Sequence, residues 1–289
     1  MIEARYYEKQ DEGQVKCVLC PHHCLIAPGK TGRCLVRYND EGQLFAKDYG
    51  LLSAVHQDPV EKKPLYRFFP GKQILSIGSY GCNLRCGWCQ NAAISHCGPE
   101  RGRGSAYHAP AELAEMANKP GNIGIAYTYN EPAVWFEYMY DTARLVHDVG
   151  GYNVVVTNGY INTKPLQDLL TVTDAFNVDL KAFGNDFYVK QTGGSLQPVK
   201  NTMVAIAQQA VHLEIAFLVI PGLNDDMDMF RSMVRWMRDA LGRKVVLHIN
   251  RYFPALRTQQ PPTPLDLMQS MKGIAERHVD YVYLGNVPQ

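Results

Sequence analysis

Three cysteines in one short loop are the residues of this chain best suited to chemistry. Cys82, Cys86 and Cys89 are separated by three and then two residues, and their loop follows the strand-like run 73–79. Soft thiolate ligands bind iron–sulfur clusters, zinc or copper(I) in preference to hard cations. A four-iron cluster has four corners, so three cysteines leave one iron open to a ligand from outside the protein. The spacing predicts either such a cluster or a zinc site completed by a fourth side chain.

A second cysteine group lies near the N-terminus. Cys17, Cys20, Cys24 and Cys34 fall within eighteen positions that are rich in turn-forming residues. A segment this short buries little apolar surface, so metal ligation would supply much of its folding free energy. Four thiolates suit a structural zinc ion and also suit an auxiliary iron–sulfur cluster. The spacing does not separate these two interpretations.

Composition limits the class of protein. The chain has 289 residues, 46% of them hydrophobic and 20% charged, which suits one large α/β domain or a domain with a small appendage. The net charge of +1 gives no reason to expect a nucleic-acid or membrane-surface partner. No apolar run reaches the roughly 18 residues of a membrane span, and the N-terminus lacks a signal-peptide pattern. Clustered cysteines without an export signal favour reduced metal ligands in the cytoplasm.

From residue 73 onwards, short apolar β-type runs alternate with helical segments. The runs expected to form strands are 73–79, 122–127, 152–157, 175–179, 213–220, 244–249 and 281–284. Continuously apolar strands are typical of parallel sheets buried on both faces. Six or seven βα units predict an open or closed parallel barrel, whose functional residues lie at the C-terminal ends of the strands.

This pattern divides the chain in two. Residues 1–70 are expected to form a cysteine-rich module and a connector, and residues 71–289 the barrel. The stretch 58–71 contains three prolines around a charged centre. It is predicted to be extended, irregular and packed over the barrel, and a connector role is preferred to a role in substrate binding.

Polar side chains follow the apolar strands at two further positions. Asn130 and Glu131 end the second strand, where they could accept hydrogen bonds from an ammonium group or simply cap the next helix. Asp179 and Lys181 end the fourth strand, and because strand side chains alternate they should share one face. They could bind a ligand or form a salt bridge at the barrel rim.

The cysteine spacing, with Trp88 directly before the third cysteine, resembles the radical S-adenosylmethionine (SAM) superfamily. The resemblance implies a partial (β/α)6 TIM-like barrel and a site-differentiated [4Fe-4S] cluster on Cys82, Cys86 and Cys89. In that family SAM chelates the open iron, and an electron from the cluster cleaves SAM to methionine and a 5'-deoxyadenosyl radical that abstracts hydrogen from a substrate. Trp88 would then lie near the adenine.

The same resemblance assigns SAM-binding roles to the other strand ends. Asn130 and Glu131 stand where the family has a Gly-Gly-Glu stretch for the amino group of SAM, and Lys181 would pair with its carboxylate. Asp179 would orient that lysine or bind a ribose hydroxyl.

Two further strand ends indicate which branch of the superfamily the chain resembles. Thr157 and Asn158 resemble a Thr-Asn-Gly motif of glycyl-radical activating enzymes, although Val156 replaces the usual aspartate and leaves a monovalent-cation site in doubt. His248 corresponds to a histidine that contacts SAM, but a lone histidine on an apolar strand is also a common core residue. With the N-terminal cysteine module and the Glu-Lys-Lys-Pro-Leu-Tyr stretch, the chain resembles the AmmeMemoRadiSam branch, which implies association with AMMECR-like and Memo-like proteins.

Three functions remain open at this stage. The first is hydrogen abstraction from a glycine of a partner protein, as in activating enzymes, and the second is radical modification of a small molecule or another partner. No ferredoxin-like insertion follows the cysteine loop, so either reaction would need an external one-electron reductant of the flavodoxin or ferredoxin type. The third is a non-enzymatic scaffold that binds zinc at both cysteine groups, which leaves the polar strand ends without a purpose.

Overall fold

A large sheet of eight strands dominates the protein, in a computed structural model that describes residues 1–101, 106–209, 211–256 and 258–288. The strands in these ranges are β1 Ile2–Glu3, β2 Tyr7–Lys9, β3 Val15–Cys17, β4 Leu25–Ile26, β5 Arg37–Asp40, β6 Gln43–Ala46, β7 Leu51–Leu52, β8 Ala54–Pro59, β9 Gln73–Gly78, β10 Ala106–Tyr107, β11 Asn122–Tyr127, β12 Tyr152–Thr157, β13 Ala175–Asp179, β14 His212–Val219, β15 Val246–Arg251 and β16 Tyr281–Gly285. The α-helices are α1 Ala92–Ser95, α2 Pro110–Ala117, α3 Phe136–Asp148, α4 Thr163–Leu170, α5 Asn185–Phe187, α6 Leu196–Ala207, α7 Met227–Leu241 and α8 Leu265–Ala275.

The large sheet follows the order β16-β15-β14-β13-β12-β11-β9-β8. Its strands from β9 to β16 pair in parallel, and β8 pairs antiparallel with β9. Each of the seven apolar runs predicted to be a strand is one of the parallel strands, because such runs bury both faces. The order ends at β8 and β16, so the barrel is open between these two edges. The mixed α/β fold with a parallel sheet is confirmed.

The parallel strands are joined by helices that pack outside the sheet. Glu131 precedes a 3-10 turn at Pro132–Trp135, and its carboxylate accepts a hydrogen bond from the backbone N–H of Ala133. The chain then continues as α3, with a proline at the first turn as expected for a helix start. Gly150, at φ +79°, follows the helix in the left-handed conformation that favours glycine. No helix within the described ranges is long and apolar enough to span a membrane.

The N-terminal module consists of two small antiparallel sheets, in the orders β1-β6-β5 and β2-β3-β4. Strands β5 and β6 form a hairpin, with Arg37 opposite Ala46. The module is joined to the barrel by a buried ion pair, in which Arg37 Nη2 lies 2.8 Å from Glu137 Oε2 on helix α3. Glu137 Oε1 also accepts hydrogen bonds from Arg37 Nη1 and from the backbone N–H of Arg5.

Residues 60–71, called here the floor segment, are inserted into the barrel at Val60, Lys63 and Leu65, whereas residues 62, 67 and 69–71 are exposed. Val60 and Leu65 are fully buried in a cluster whose other members come from four strands of the sheet, namely Ile74, Ala126, Val154 and Ala175. The segment predicted to be a connector packed over the barrel therefore also contributes two buried apolar residues to the barrel interior. Only two buried apolar residues mark the segment, and its prolines and charges are typical of a surface loop. The sheet also includes β8, so it extends N-terminal of the boundary predicted at residue 71.

Polar contacts fix the floor segment to the strands around it. The carboxylate of Glu214 accepts hydrogen bonds from the backbone N–H groups of Tyr66, at 3.0 Å, and Arg67, at 2.8 Å. Asn177 Nδ2 donates to the carbonyl oxygen of Pro64 at 2.8 Å. The Tyr66 ring contacts that of Tyr283, with centroids 4.9 Å apart. The segment thus crosses the barrel from β8 to β16 and closes the end opposite the cysteine loop.

Candidate active site

A cavity of about 380 Å³ opens at the C-terminal ends of the parallel strands, within the size range of ligand pockets. It gathers most of the side chains that the sequence singles out. The predicted residues that line it are Cys82, Cys86, Trp88, Cys89, Asn130, Glu131, Thr157, Asn158, Asp179 and Lys181. These nine motif positions and Trp88 come from the C-terminal ends of four different strands. They meet at one edge of the sheet because those strands are parallel.

The cysteine loop is shaped by its own backbone contacts. Gly81 has φ +77°, and a Cβ there would collide with the carbonyl oxygen of Cys34. Arg85 Nη1 donates to the carbonyl oxygens of Cys82 and Leu84, and the backbone N–H of Leu84 points at Cys82 Sγ at 3.4 Å. These contacts fold the loop back on itself and turn its thiols into the cavity.

The three thiols form a donor set that fits an iron–sulfur cluster. Burial raises the pKa of Cys82 well above its usual range and that of Cys86 to about 11, so a thiolate here needs a compensating metal charge. Among the described residues, no three His, Cys, Asp or Glu side chains converge as a single-ion site. A four-iron cluster does not require convergence, since each cysteine binds a different iron.

Glu131 presents a buried carboxylate to the same cavity. Its Oε1 accepts hydrogen bonds from the Thr157 hydroxyl at 2.7 Å and from the N–H of Ala133, and its Oε2 accepts from the N–H of Asn158 at 2.8 Å. In the part of the chain that the structure describes, no basic side chain forms an ion pair with it. Burial raises the pKa of Glu131, and an ammonium group bound beside it would favour the ionised form.

Asn130 lines the cavity but uses its amide to hold the chain before the cysteine loop. Its Oδ1 accepts a hydrogen bond from the N–H of Ser79 at 3.0 Å, and its Nδ2 donates to the carbonyl oxygens of Tyr80 and Gly81 at 2.8 and 2.9 Å. Both amide hydrogens are thus used within the protein. The structure supports a positioning role rather than the predicted direct contact with SAM.

Replacing Asn130 by alanine removes all three of these hydrogen bonds. We expect the variant to lose about 2–3 kcal/mol of stability and to retain less iron per chain, because each bond contributes roughly 1 kcal/mol and the loop loses its anchor. Iron analysis and thermal unfolding measure both effects. The exposed Asn201→Ala variant, which loses one contact to Gln197, is the control. Equal iron content and stability in the Asn130 variant and the wild type would contradict the assignment.

Asn158 links the cysteine loop to strand β12. Its Nδ2 donates to Asn83 Oδ1 at 2.9 Å and lies 3.7 Å from Cys82 Sγ. Its Oδ1 accepts from the N–H of Tyr160 at 2.8 Å. Thr157 and Asn158 thus support Glu131 and Cys82, whereas Val156, in the place of the family's aspartate, lines the cavity without a charge.

Asp179 and Lys181 lie on one face and form an ion pair, as alternation along a strand predicts. Burial alone would lower the pKa of Lys181, but the acidic groups around it together outweigh burial, with Asp179 contributing most, and raise that pKa. Cys86 is close enough to act in the same direction. The lysine therefore stays cationic at the cavity wall. It can pair with a carboxylate while remaining next to the cysteine loop.

For His248 the structure favours the core alternative over contact with SAM. The side chain is buried and does not line the cavity; its Nε2 is hydrogen-bonded to Glu214, and its ring packs against those of Tyr66 and Tyr283. Burial disfavours ionisation of Glu214, but hydrogen bonds from His212 and His248 outweigh it and lower the pKa of that carboxyl to about 2. His248 therefore stabilises the floor segment, and Asn250, two residues further along β15, lines the cavity instead.

The four N-terminal cysteines surround a second, much smaller cavity of about 10 Å³. All four are free thiols. The module also touches the cysteine loop, since His22 Nε2 is hydrogen-bonded to the carbonyl oxygen of Asn83 at 2.7 Å. The four predicted metal ligands therefore line one small cavity, beside the residues that shape the larger one.

Sequence reasoning missed the contribution of the floor segment to the site. Lys62, Lys63 and Pro64 line the large cavity together with the cysteines. A pair of lysines in a stretch without apolar periodicity carries no signal of burial. The two lysines differ from other lysines of the chain only in that they lie between two prolines. The charges of the chain are otherwise balanced.

Comparison with known proteins agrees with this geometry. A model of the Radical SAM superfamily matches residues 76–234. An uncharacterized protein of Methanocaldococcus jannaschii is 41% identical over 293 residues, which cover 100% of this chain and 86% of that protein. The pyruvate formate-lyase 1-activating enzyme of Escherichia coli is 25% identical over 163 residues, 55% of this chain and 66% of that enzyme.

A solved structure shows the same fold at low sequence similarity. The crystal structure of Streptococcus suis SuiB bound to S-adenosylmethionine superposes with a TM-score of 0.55 and 12% identity, covering 71% of this chain and 48% of that chain. The family match contains all three cysteines of the loop and extends from β9 into α7. The chain belongs to the radical SAM superfamily.

Proposed function

We propose that this protein is a radical SAM enzyme in which Cys82, Cys86 and Cys89 hold a site-differentiated [4Fe-4S] cluster. The observation that carries the proposal is that one cavity is lined by three cysteines, a buried carboxylate and a fixed lysine. When bound, the cluster supplies the electron that cleaves SAM to a 5'-deoxyadenosyl radical. Membership of the superfamily supports both cofactors.

The protein's own residues bind and orient SAM in this proposal. Glu131 accepts hydrogen bonds from the ammonium group, which supplies the positive charge that the buried carboxylate lacks. Lys181 pairs with the carboxylate of SAM, and Asp179 holds that lysine in place. Trp88, buried against Phe187, offers a ring face to the adenine. Thr157 and Asn158 keep Glu131 in position through their hydrogen bonds to its carboxylate.

The finer assignments rest on the cysteine and strand-end motifs. The activating-enzyme relative supports a protein substrate whose glycine loses hydrogen, with a flavodoxin or ferredoxin as the reductant. A small-molecule substrate is the alternative within the same chemistry. The N-terminal tetrad is proposed to hold a zinc ion or an auxiliary cluster, and zinc would require its sulfurs to converge further. Association with AMMECR-like and Memo-like proteins is proposed from the N-terminal motifs alone.

Cleavage of SAM tests this function directly. We expect protein reconstituted with iron and sulfide, then reduced with dithionite, to convert SAM to 5'-deoxyadenosine and methionine in equal amounts. Chromatography of both products measures the reaction. A Lys181→Ala variant should bind SAM about tenfold more weakly or worse, because it loses a charge-assisted hydrogen bond. Absence of both products from wild-type protein that contains a reducible cluster would overturn the proposal.

A further inference from the structure

The floor segment brings two lysines into the cavity that the binding of SAM does not require. Both interact with one carboxylate on strand β8. Lys62 Nζ lies 3.1 Å from Asp58 Oδ1, and Lys63 Nζ lies 2.8 Å from Asp58 Oδ2. The Tyr129 hydroxyl donates to the same Oδ2 at 2.9 Å. Two ammonium groups therefore share one carboxylate, which leaves one positive charge at this wall.

The two lysines differ in how exposed their side chains are. The Lys63 side chain is 3% exposed, and its Nζ lies 4.9 Å from the centre of the Tyr129 ring. Its ion pair with Asp58 offsets only part of the cost of burial, and its position is fixed by the floor segment. The Lys62 side chain is 67% exposed, so its contact with Asp58 costs little to exchange for another anion. Lys63 is thus part of the framework, and Lys62 is the available cation.

The carboxylate that holds Lys62 is carried at the opposite end of β9 from the cysteine loop. Asp58 pairs with Ile74 near the start of β9, whereas the cysteine loop follows Gly78 at the end of that strand. Four residues of strand correspond to about 13 Å. Asn177 lines the same cavity, and its Nδ2 donates to the Pro64 carbonyl oxygen of the floor segment. The cavity therefore has an upper part for the cluster and SAM, and a lower part that ends at the floor segment.

We infer that the lower part binds the anionic end of a small-molecule substrate, a carboxylate or a phosphate group, through Lys62. This inference rests on the proposed function, since it places the substrate below SAM in the same cavity. The anion would replace Asp58 as the partner of Lys62, while Asp58 keeps Lys63 and Tyr129. A backbone glycine of a partner protein carries no charge for this cation to recognise, so the floor segment favours a small molecule.

Anion binding to the reconstituted full-length protein tests the inference. Calorimetric titrations with inorganic phosphate and with citrate, both in the presence of SAM, distinguish phosphate from carboxylate recognition. We expect at least one anion to bind, and its Kd to rise about tenfold in Lys62→Ala but by less than about threefold in Lys62→Arg, which keeps the charge. Lys164→Ala, which breaks an exposed i,i+4 pair with Asp168 like that of Lys62 with Asp58, is the matched control.

The outcomes separate this inference from the proposed function. Binding that depends on Lys62 and not on Lys164 supports it. Failure of both anions to bind, an unchanged Kd in Lys62→Ala, or an equal loss in Lys164→Ala would overturn it. Conversion of SAM to 5'-deoxyadenosine by the same wild-type preparation is measured in parallel. If that conversion occurs while no anion binds, only the substrate assignment fails; if it does not occur, the proposed function itself fails.

Discussion

Replacing Cys82 by alanine is expected to abolish formation of 5'-deoxyadenosine and to remove about four irons per chain. Two thiolates cannot retain a cluster that already lacks a fourth protein ligand. The Cys82 thiol is also placed centrally, since its sulfur is contacted by the N–H of Leu84 and by Asn158 Nδ2. Iron, sulfide and zinc per chain, measured in protein purified without oxygen, give the cluster content. Product chromatography after reduction gives the activity.

Cys97→Ala is the control for this experiment. The Cys97 thiol lies 3.0 Å from the carbonyl oxygen of Ala93. The Cys97 side chain packs on the core and does not line the cavity. We expect the control to keep its iron and its activity. The metal that remains in Cys82→Ala identifies the N-terminal site, since one zinc indicates a structural ion and about four irons an auxiliary cluster. Full iron and product yield in Cys82→Ala would refute the assignment of the loop.

Replacing Glu137 by glutamine is expected to destabilise the protein by about 3–5 kcal/mol. Arg37 and Glu137 have side chains only 1% and 2% exposed, and the substitution leaves a buried guanidinium without its counter-charge. A neutral amide fills the same space, so the effect reports the lost charge rather than a cavity. Urea unfolding followed by circular dichroism measures the free energy of unfolding.

An exposed pair provides the comparison for Glu137→Gln. Arg231 and Asp228 form an ion pair on α7, and the Asp228 side chain is 91% exposed. Asp228→Asn should change the stability by no more than about 0.5 kcal/mol, because surface ion pairs contribute little. Replacing both Arg37 and Glu137 by Met and Leu should recover part of the loss, since no unpaired charge is then buried. A similar small effect of Glu137→Gln and Asp228→Asn would show that the buried pair does not join the module to the barrel.

Much of the fold could be predicted from the sequence because its signals are local. The parallel strands are continuous apolar runs, and the cysteine loop is defined by spacing alone. The convergence of Glu131, Asn158 and Lys181 also followed, since the C-terminal ends of parallel strands meet at one edge. These properties depend on side-chain alternation and strand direction, which a sequence carries directly.

The remaining features depend on which residue of a strand reaches the cavity and on contacts between residues far apart in the chain. No local sequence pattern encodes either of these. His248 and Asn250 point to the same side of β15, yet only the outer residue reaches the cavity, because Glu214 fixes the inner one. Asn130 was expected to contact a ligand, but its three backbone partners lie about fifty residues earlier in the chain. The sequence of the floor segment resembles that of a surface loop, because the residues that bury it belong to strands later in the chain.

The position of the floor segment inside the barrel links folding of the two halves of the chain. Tyr66 donates its N–H to Glu214, a contact that spans 148 residues. Contacts of such long sequence separation raise the contact order and slow folding, because the intervening chain must be ordered first. The barrel strands enclose a segment synthesised before them, so an empty barrel would expose the apolar faces of Ile74 and Val154. The floor segment and the barrel strands therefore share one buried cluster, and a cut at residue 70 would divide it.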